Sequence, residues 1–289
     1  MFSRAIIVLA LTAMLVLALG TGSFACVGAR PLAMGGAFVG LADDTNATYW
    51  NPAGLIQLDS TSFTGMYTTT NRDEINYQHY VGLAMPLMMG KAAAGVSWVR
   101  SNMAMGLTET DEQDWYWASL AYQLSPQTSI GVNVKSIENS LEDYETETGV
   151  DVALFHRVNE KLTAGLLIQD FNEPELSLSG TPVAVWTRNY RPGFAFRPDA
   201  LSVVSVELYD AMDDTDSRSL RVAYEKMMSE KLAVRAGYYG LGQSESDAIT
   251  VGLGIKDFGG ASFEYPMTLD IAAMFGDVET ILTSLNVKF

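Results

Sequence analysis

The chain closes on Ile281-Leu282-Thr283-Ser284-Leu285-Asn286-Val287-Lys288-Phe289. Ile281, Thr283, Leu285, Val287 and Phe289 fall on one face, and Leu282, Ser284, Asn286 and Lys288 on the other, which is the period of two that marks a strand. The pattern recurs back to about residue 61. Ile130, Val132 and Val134 oppose Ser129, Gly131 and Asn133; Leu220, Val222 and Tyr224 oppose Arg221, Ala223 and Glu225; Ile249, Val251 and Leu253 oppose Thr250, Gly252 and Gly254. A soluble sandwich would carry more Lys and Glu on its exposed faces than the Gly, Ser and Ala seen here. In a membrane barrel the apolar face meets lipid and the small, polar face lines the lumen.

Short connections at 86–90, 125–127, 159–161, 198–200, 229–231 and 257–260 alternate with longer ones at 102–113, 139–148, 172–188, 210–217, 241–247 and 267–279. Short periplasmic turns and longer outer loops are the rule for bacterial barrels. Adding strands near 61–70 and 75–85 predicts an all-β, transmembrane antiparallel barrel of about fourteen strands over 59–289, an even count as the rule requires. At the other end Arg4 precedes an apolar run from Ala5 to Leu19 and then Ser23-Phe24-Ala25. A basic start, a short hydrophobic core and a small-x-small site read as a signal peptide over 1–25, and the run falls short of the roughly 20 residues of a membrane-spanning helix. Cleavage there leaves Cys26, the only cysteine, at the mature N-terminus. It is either lipidated or incidental, and Ser23, where lipoprotein signals usually have Leu, favours the second.

The net charge of −16 excludes a phosphate-backbone binder, so no nucleic-acid partner is expected. The acids cluster in the longer loops, but Asp210, Asp213, Asp214 and Asp216 lack the glycine and terminal Glu of a calcium loop and read as solvated surface. His79 and His156 are the only histidines, no G-x-S-x-G occurs, and Gly35, Gly36 and Gly40 do not form a nucleotide-binding loop. The expectation is therefore no enzyme, no metal and no cofactor.

On the assigned phase Lys135, Asp151, Arg191 and Glu207 point inward, as do Arg221, Glu225, Arg235 and Glu264. They form either a polar path or a ladder that fills the interior, and their interleaved signs favour the ladder. Trp98, Tyr116, Tyr122 and Tyr190 fall on outward phases, as do Phe194, Phe196, Tyr224, Tyr238, Phe263 and Tyr265, as interfacial girdles require. Trp115 and Trp117 take the opposite phase and either meet a ligand or pack against the interior. Pro182, Val183, Val185 and Trp186 give the longest loop an apolar tip.

Between signal and barrel stand Ala33-Met34-Gly35-Gly36-Ala37, then Ala42-Asp43-Asp44, then Asn51-Pro52-Ala53-Gly54-Leu55. The glycines permit unusual backbone angles, Asp44 or Thr45 can cap a short helix, and Pro52 would end it. This stretch resembles the N-terminal segment of outer-membrane barrels of the FadL/TodX and PorV/PorQ superfamily. The resemblance implies a fourteen-strand barrel and a short hatch with helical turns over 26–58 that plugs the lumen. Gly35, Gly36, Asp43, Asp44, Asn51, Pro52, Ala53 and Gly54 would be its motif. It further implies transport of small hydrophobic compounds across the outer membrane, or an accessory role to a protein secretion system. A structural barrel with no transported ligand is the third reading. The motif is common to the first two, and transport is ranked first. The partners implied are outer-membrane lipid, hydrophobic small molecules or secretion components, and the barrel-assembly machinery, for which the terminal aromatic Phe289 resembles the signal.

Overall fold

The computed structural model describes residues 27–70, 77–101, 112–139, 144–212, 218–241, 247–258, 264–276 and 279–289. The signal segment and Cys26 lie outside them. The strands are β1 (Ser62–Thr70), β2 (Tyr77–Leu87), β3 (Ala92–Ser101), β4 (Gln113–Ser125), β5 (Thr128–Asn139), β6 (Tyr144–Thr146), β7 (Gly149–Arg157), β8 (Leu162–Gln169) and β9 (Glu175–Leu178). They continue as β10 (Thr181–Val185), β11 (Asn189–Phe196), β12 (Ser202–Tyr209), β13 (Ser219–Met227), β14 (Leu232–Leu241), β15 (Ala248–Lys256), β16 (Met267–Gly276) and β17 (Thr280–Lys288).

Fourteen of these strands form one closed antiparallel barrel, in which each pairs with its neighbours and β1 returns to β17. That closing ladder runs from Ser62↔Lys288 to Thr70↔Thr280. Beyond it the Phe289 amide donates to the Thr61 carbonyl at 2.8 Å, and Lys288 Nζ meets Asp59 Oδ1 at 3.1 Å. The hydrogen bond from Lys288 holds the Asp59 carboxyl below its ordinary value. The Phe289 ring packs edge-on against Tyr265, with centroids 5.1 Å apart. Side chains alternate as the period of two requires: in β5, Ser129, Asn133, Lys135 and Ile137 are buried while Ile130, Val132 and Val134 are exposed on the outer wall.

Three features differ from the sequence reading. The stretch 267–279, expected as a long loop, is mostly β16, and the connection before it runs over 257–266 instead of the short turn expected at 257–260. Glu264 and Tyr265 therefore sit in a turn, Glu264 is exposed rather than luminal, and Phe263 lies outside the described residues. The period of two fixes a strand's phase but not its ends, and Ala261 to Tyr265 alternate well enough to pass for the missing strand. The outer connections at 139–148 and 172–188 are not plain loops either: β6, β9 and β10 pair into a separate three-stranded sheet in the order β10-β9-β6, a lid beside the barrel's outer end.

The segment from Val27 to Leu58 lies inside the barrel with almost every side chain buried. It contains helix α1 (Ala29–Ala33), helix α2 (Ala47–Trp50) and a 3-10 turn, Pro52–Gln57. Asn51 is extended, as a residue before proline prefers, and its Oδ1 accepts from the Ala53 amide at 3.1 Å, so the Asn-Pro pair stops α2 and starts the 3-10 turn. Asp44 Oδ1 accepts from the Asn46 amide at 2.9 Å at the start of α2. Gly35 has φ 57°, and a side chain there would meet the Tyr238 backbone; at Gly165, on the wall, a side chain would meet the Val39 carbonyl. Hatch and wall touch backbone to backbone at both places, which only glycine allows.

Among the described residues the wall shifts register at β7/β8 and β13/β14 as well as at β11/β12, and only the β11/β12 seam also carries a proline on its ladder side. The register between β11 and β12 runs only from Gly193↔Glu207 to Phe196↔Val204. Above it Pro192 has no N–H to give, and the chains rejoin where the Ala211 amide donates to the Tyr190 carbonyl at 2.8 Å. The β12 side carries one more residue across this stretch than the β11 side, and Asp210 takes φ 52° to fit it in.

Replacing Gly165 with Leu is expected to force Val39 off the wall and destabilise the folded protein by about 1–3 kcal/mol. The check is the temperature at which the compact, fast-migrating band on unheated gels gives way to the unfolded one; an unchanged temperature would show that the hatch does not dock there.

Candidate functional site: an aromatic column above a pinned hatch

Trp115 and Trp117, two residues apart on β4, share the inward face. Their rings stack with centroids 5.7 Å apart and an interplanar angle of 18°. Below them Trp117 meets Tyr49 of α2 edge-on at 5.7 Å, Tyr49 meets Trp50 at 5.4 Å, and Trp50 meets Phe38 at 6.2 Å. Above them Trp115 meets Trp186, just after β10, at 6.0 Å and 86°. A continuous column of rings thus runs from the hatch, along the wall, to the lid. These are the offset and edge-to-face geometries that aromatic quadrupoles favour. Trp50 Nε1 donates to the Val27 carbonyl at 2.7 Å and Trp115 Nε1 to Gln113 Oε1 at 3.1 Å. Trp186, read from the sequence as part of an exposed apolar tip, is instead turned inward onto Trp115.

Charged groups pin the hatch to the wall at two nodes and brace the interior at a third. Arg30, on α1, reaches Asp43 at 2.6 Å, Asp44 at 2.9 Å and Glu225 of β13 at 2.9 Å. Glu225 also accepts from Arg235 of β14 at 2.6 Å, and Arg235 reaches Asp270 of β16 at 2.7 Å. Burial works against the Arg30 charge, yet Asp43, Glu225 and Asp44 together keep its pKa above the ordinary guanidinium value. Burial pushes the Asp44 carboxyl up, against the pull of Arg30. A second node is Glu207 of β12, fully buried. One of its oxygens accepts from the amides of Phe38 and Val39, each at 3.0 Å, and the other from Arg191 at 2.6 Å. Arg221, 3.5 Å from Glu207, lies between the rings of Tyr209 and Tyr239, at 4.1 Å and 4.2 Å from their centroids, and Arg191 lies 5.0 Å from that of Trp50. A third node joins Lys135 to Asp151 at 2.8 Å and to Asp170 at 2.7 Å.

Hydroxyl and amide side chains from around the wall complete the attachment. Ser205 Oγ donates to the Ala37 carbonyl at 2.6 Å, Thr163 Oγ1 to Gly40 at 2.7 Å, Ser129 Oγ to Ala53 at 2.8 Å and Asn133 Nδ2 to Thr48 at 2.9 Å. Asn51 Nδ2 donates both to Val39 within the hatch and to Leu154 of β7. Gly35, Gly36, Asp43, Asp44, Asn51, Pro52, Ala53 and Gly54 all lie in the segment inside the barrel, and Lys135, Glu207, Arg221, Glu225 and Arg235 are buried on the inward face of the wall. Glu264 is not. The sequence reading missed Arg30, whose only signal was its place as a lone cation ahead of Asp43-Asp44, and Asp270, hidden by the misplaced ends of β16. An apolar hollow of about 560 Å3 involves Val81, Val96, Trp98, Tyr116, Ala118 and Val134. These residues face outward, and the inward-phase Ser97, Trp117 and Lys135 border the same hollow.

The architecture has close structural counterparts. A monoaromatic hydrocarbon channel, CymD, superposes with a TM-score of 0.67 at 14% identity, over 92% of this chain and 99% of its own. The Ralstonia pickettii toluene transporter TbuX gives 0.65 at 11% identity, over 91% and 98%, and the Pseudomonas putida toluene transporter TodX gives 0.59 at 11%, over 93% and 97%. The chain has the fold of the FadL/TodX-type barrels. Those counterparts are channels and transporters, not enzymes. No family profile and no curated protein matches the sequence, so the likeness is one of fold.

Replacing Arg30 with Met would leave half-buried Asp43 and Asp44 and buried Glu225 without their shared cation, a loss of about 1–3 kcal/mol, since Arg235 still holds Glu225 and Arg197 still meets Asp43. The hatch of the Arg30→Met protein should be cut by protease at lower temperature than in the parent, while the barrel persists on unheated gels. Equal resistance would mean that the ion cluster does not hold the hatch.

Proposed function

We propose that this protein is an outer-membrane barrel that admits small hydrophobic compounds from the outside, with the aromatic column as their path. The column carries the reading. Elsewhere the lumen mixes Ser, Thr, Asn and paired charges with separate apolar side chains such as Met66, Tyr80, Val99 and Met274, whereas Trp186, Trp115, Trp117, Tyr49 and Trp50 offer a continuous aromatic surface from lid to hatch. The outer wall supports the location: Tyr116, Tyr122, Phe194, Phe196 and Tyr224 are exposed on the outward face as girdle residues would be, and the short turns at 88–91, 126–127, 158–161, 197–201 and 228–231 lie at one rim, the periplasmic one on this reading. The fold shared with the hydrocarbon transporters agrees with it.

At the foot of the column the way down is shut, because the hatch is bonded to the wall from many sides. The seam at Pro192 lies beside it, with Arg191 over Trp50 behind it. A solute that reaches Trp50 leaves sideways through this seam into the bilayer.

Vesicles holding the folded protein should take up naphthalene faster than vesicles without it. Pro192→Val, which restores an N–H to β11, should slow that uptake several-fold without lowering the yield of folded barrel. Removing 28–55 should leave a barrel that still inserts and conducts ions far better than the intact protein in planar bilayers. Uptake no faster than through bare lipid would sink the transport reading, and unchanged conductance would show that the segment is not a plug.

A further inference from the structure

Trp186 stands apart from the rest of the column. Its indole lies edge-on over Trp115, and its Nε1–H, shielded from solvent, has no hydrogen-bond partner among the described residues. The other two indole donors of the column whose bonds are resolved, on Trp50 and Trp115, are both satisfied. A buried donor left unpaired carries a desolvation cost until a water, a ligand or a movement supplies its partner. Trp186 also belongs to a different body from the rings below it. It follows β10 in the lid sheet, tied there by its own amide to the Pro174 carbonyl at 3.1 Å, whereas Trp115 and Trp117 are fixed in the barrel wall. The contact between Trp186 and Trp115 is thus a lid-to-wall contact, and it covers the outermost face of the column.

The geometry points to Trp186 as the protein's own occupant of its entry site. The site takes a flat aromatic molecule bearing a hydrogen-bond acceptor, which displaces the indole from Trp115 and accepts from its Nε1–H. The assignment rests on the transport reading and adds to it a substrate preference. A bare hydrocarbon gains the Trp115 face but leaves the indole N–H unpaired. A molecule of the same shape with an ether or carbonyl oxygen gains both. The Trp115 ring face against which the ligand would lie is apolar, so a charged or strongly hydrated solute would lose more on entry than one hydrogen bond returns.

Two near-isosteric probes separate these terms, 2-methoxynaphthalene and 2-ethylnaphthalene, each measured by equilibrium dialysis against the folded protein in lipid nanodiscs and against empty nanodiscs. The native protein should bind the methoxy probe tighter by roughly three- to tenfold, the range that one net hydrogen bond supplies. Trp186→Phe keeps a ring over Trp115 but has no N–H, and should bind both probes alike. Trp186→Ala removes the occupant, and should bind both more tightly than Trp186→Phe, again without preference. All three proteins are first shown to be folded by their gel mobility before heating. The same preference in native protein and Trp186→Phe would overturn the assignment, and so would no binding of either probe by the native protein. Naphthalene uptake by the native protein judges the transport reading separately. Uptake without the Trp186-dependent preference leaves a path with no such site, and the preference without uptake leaves a binding site on a barrel that does not transport.

Discussion

A strand edge in hydrocarbon has nothing to bond to, and each backbone group left there costs several kcal/mol. The return of β1 to β17 removes the last such edge, and the rest of the molecule follows from it. Once the ring is closed, every side chain is committed to lipid or lumen by its place in a two-residue repeat, so a shift of one residue would turn a whole strand inside out. Closure also fixes what must be done with the interior. A ring of this size encloses more space than its own inward side chains fill, since these are largely Gly, Ala, Ser and Thr. The hatch occupies that space, and the small inward residues are what let its backbone lie directly against the wall, as at Gly165 and Val39.

The buried charges have the same logic. An ion pair moved out of water gains little net stability, because desolvation offsets the attraction, while losing one partner is severe. The luminal pairs are therefore better understood as fixing position than as a store of stability. Glu207 binds the amides of Phe38 and Val39 with one oxygen and Arg191 with the other, and Glu225 binds Arg30 of the hatch and Arg235 of the wall. Each carboxylate has one side on the plug and one on the barrel, so any hatch position other than the observed one leaves a buried charge exposed to an apolar or like-charged neighbour. The hatch is located in this way even though it has little regular structure of its own.

Closure and phase were legible in the sequence because they are written in every strand: the inward placement of Lys135, Glu207, Arg221, Glu225 and Arg235 needed only the alternation of their neighbours. Strand ends were not, because nothing in a period of two marks where it stops. Between Lys256 and Met267 the sequence alternation of Ala261 to Tyr265 reads as a strand, which displaces the ends of β16, puts Glu264 in the lumen and conceals Asp270. The hatch carried no periodicity and was legible only through its Gly-Gly, Asp-Asp and Asn-Pro-Ala-Gly elements. The least legible parts were the contacts between segments remote in sequence. Nothing local in Arg30 points to Glu225, and nothing in the apolar tip at Trp186 shows that it turns back onto Trp115.

If the column carries solute as proposed, a molecule in it faces two barriers of different kinds. To pass downward it must free the hatch, and the hatch is held at once by Arg30, by Glu207, by hydroxyls from β5, β8 and β12, and by Asn51 across to β7. These bonds are buried and share partners, so they would have to be lost together, with charged groups left unpaired in the process. To pass sideways it meets a stretch of wall where Pro192 has already removed a ladder bond and an extra residue on the β12 side has already broken the register. Widening that seam parts few further backbone bonds, and its inner edge is lined by Tyr209 and by Trp50 under Arg191. The lateral route is therefore the less costly of the two for a small apolar molecule, while the downward route is the only one open to an ion. On the proposed transport reading, a hatch pinned this firmly would have a use beyond filling space, for it would let the wall admit apolar solutes without opening the membrane to salt.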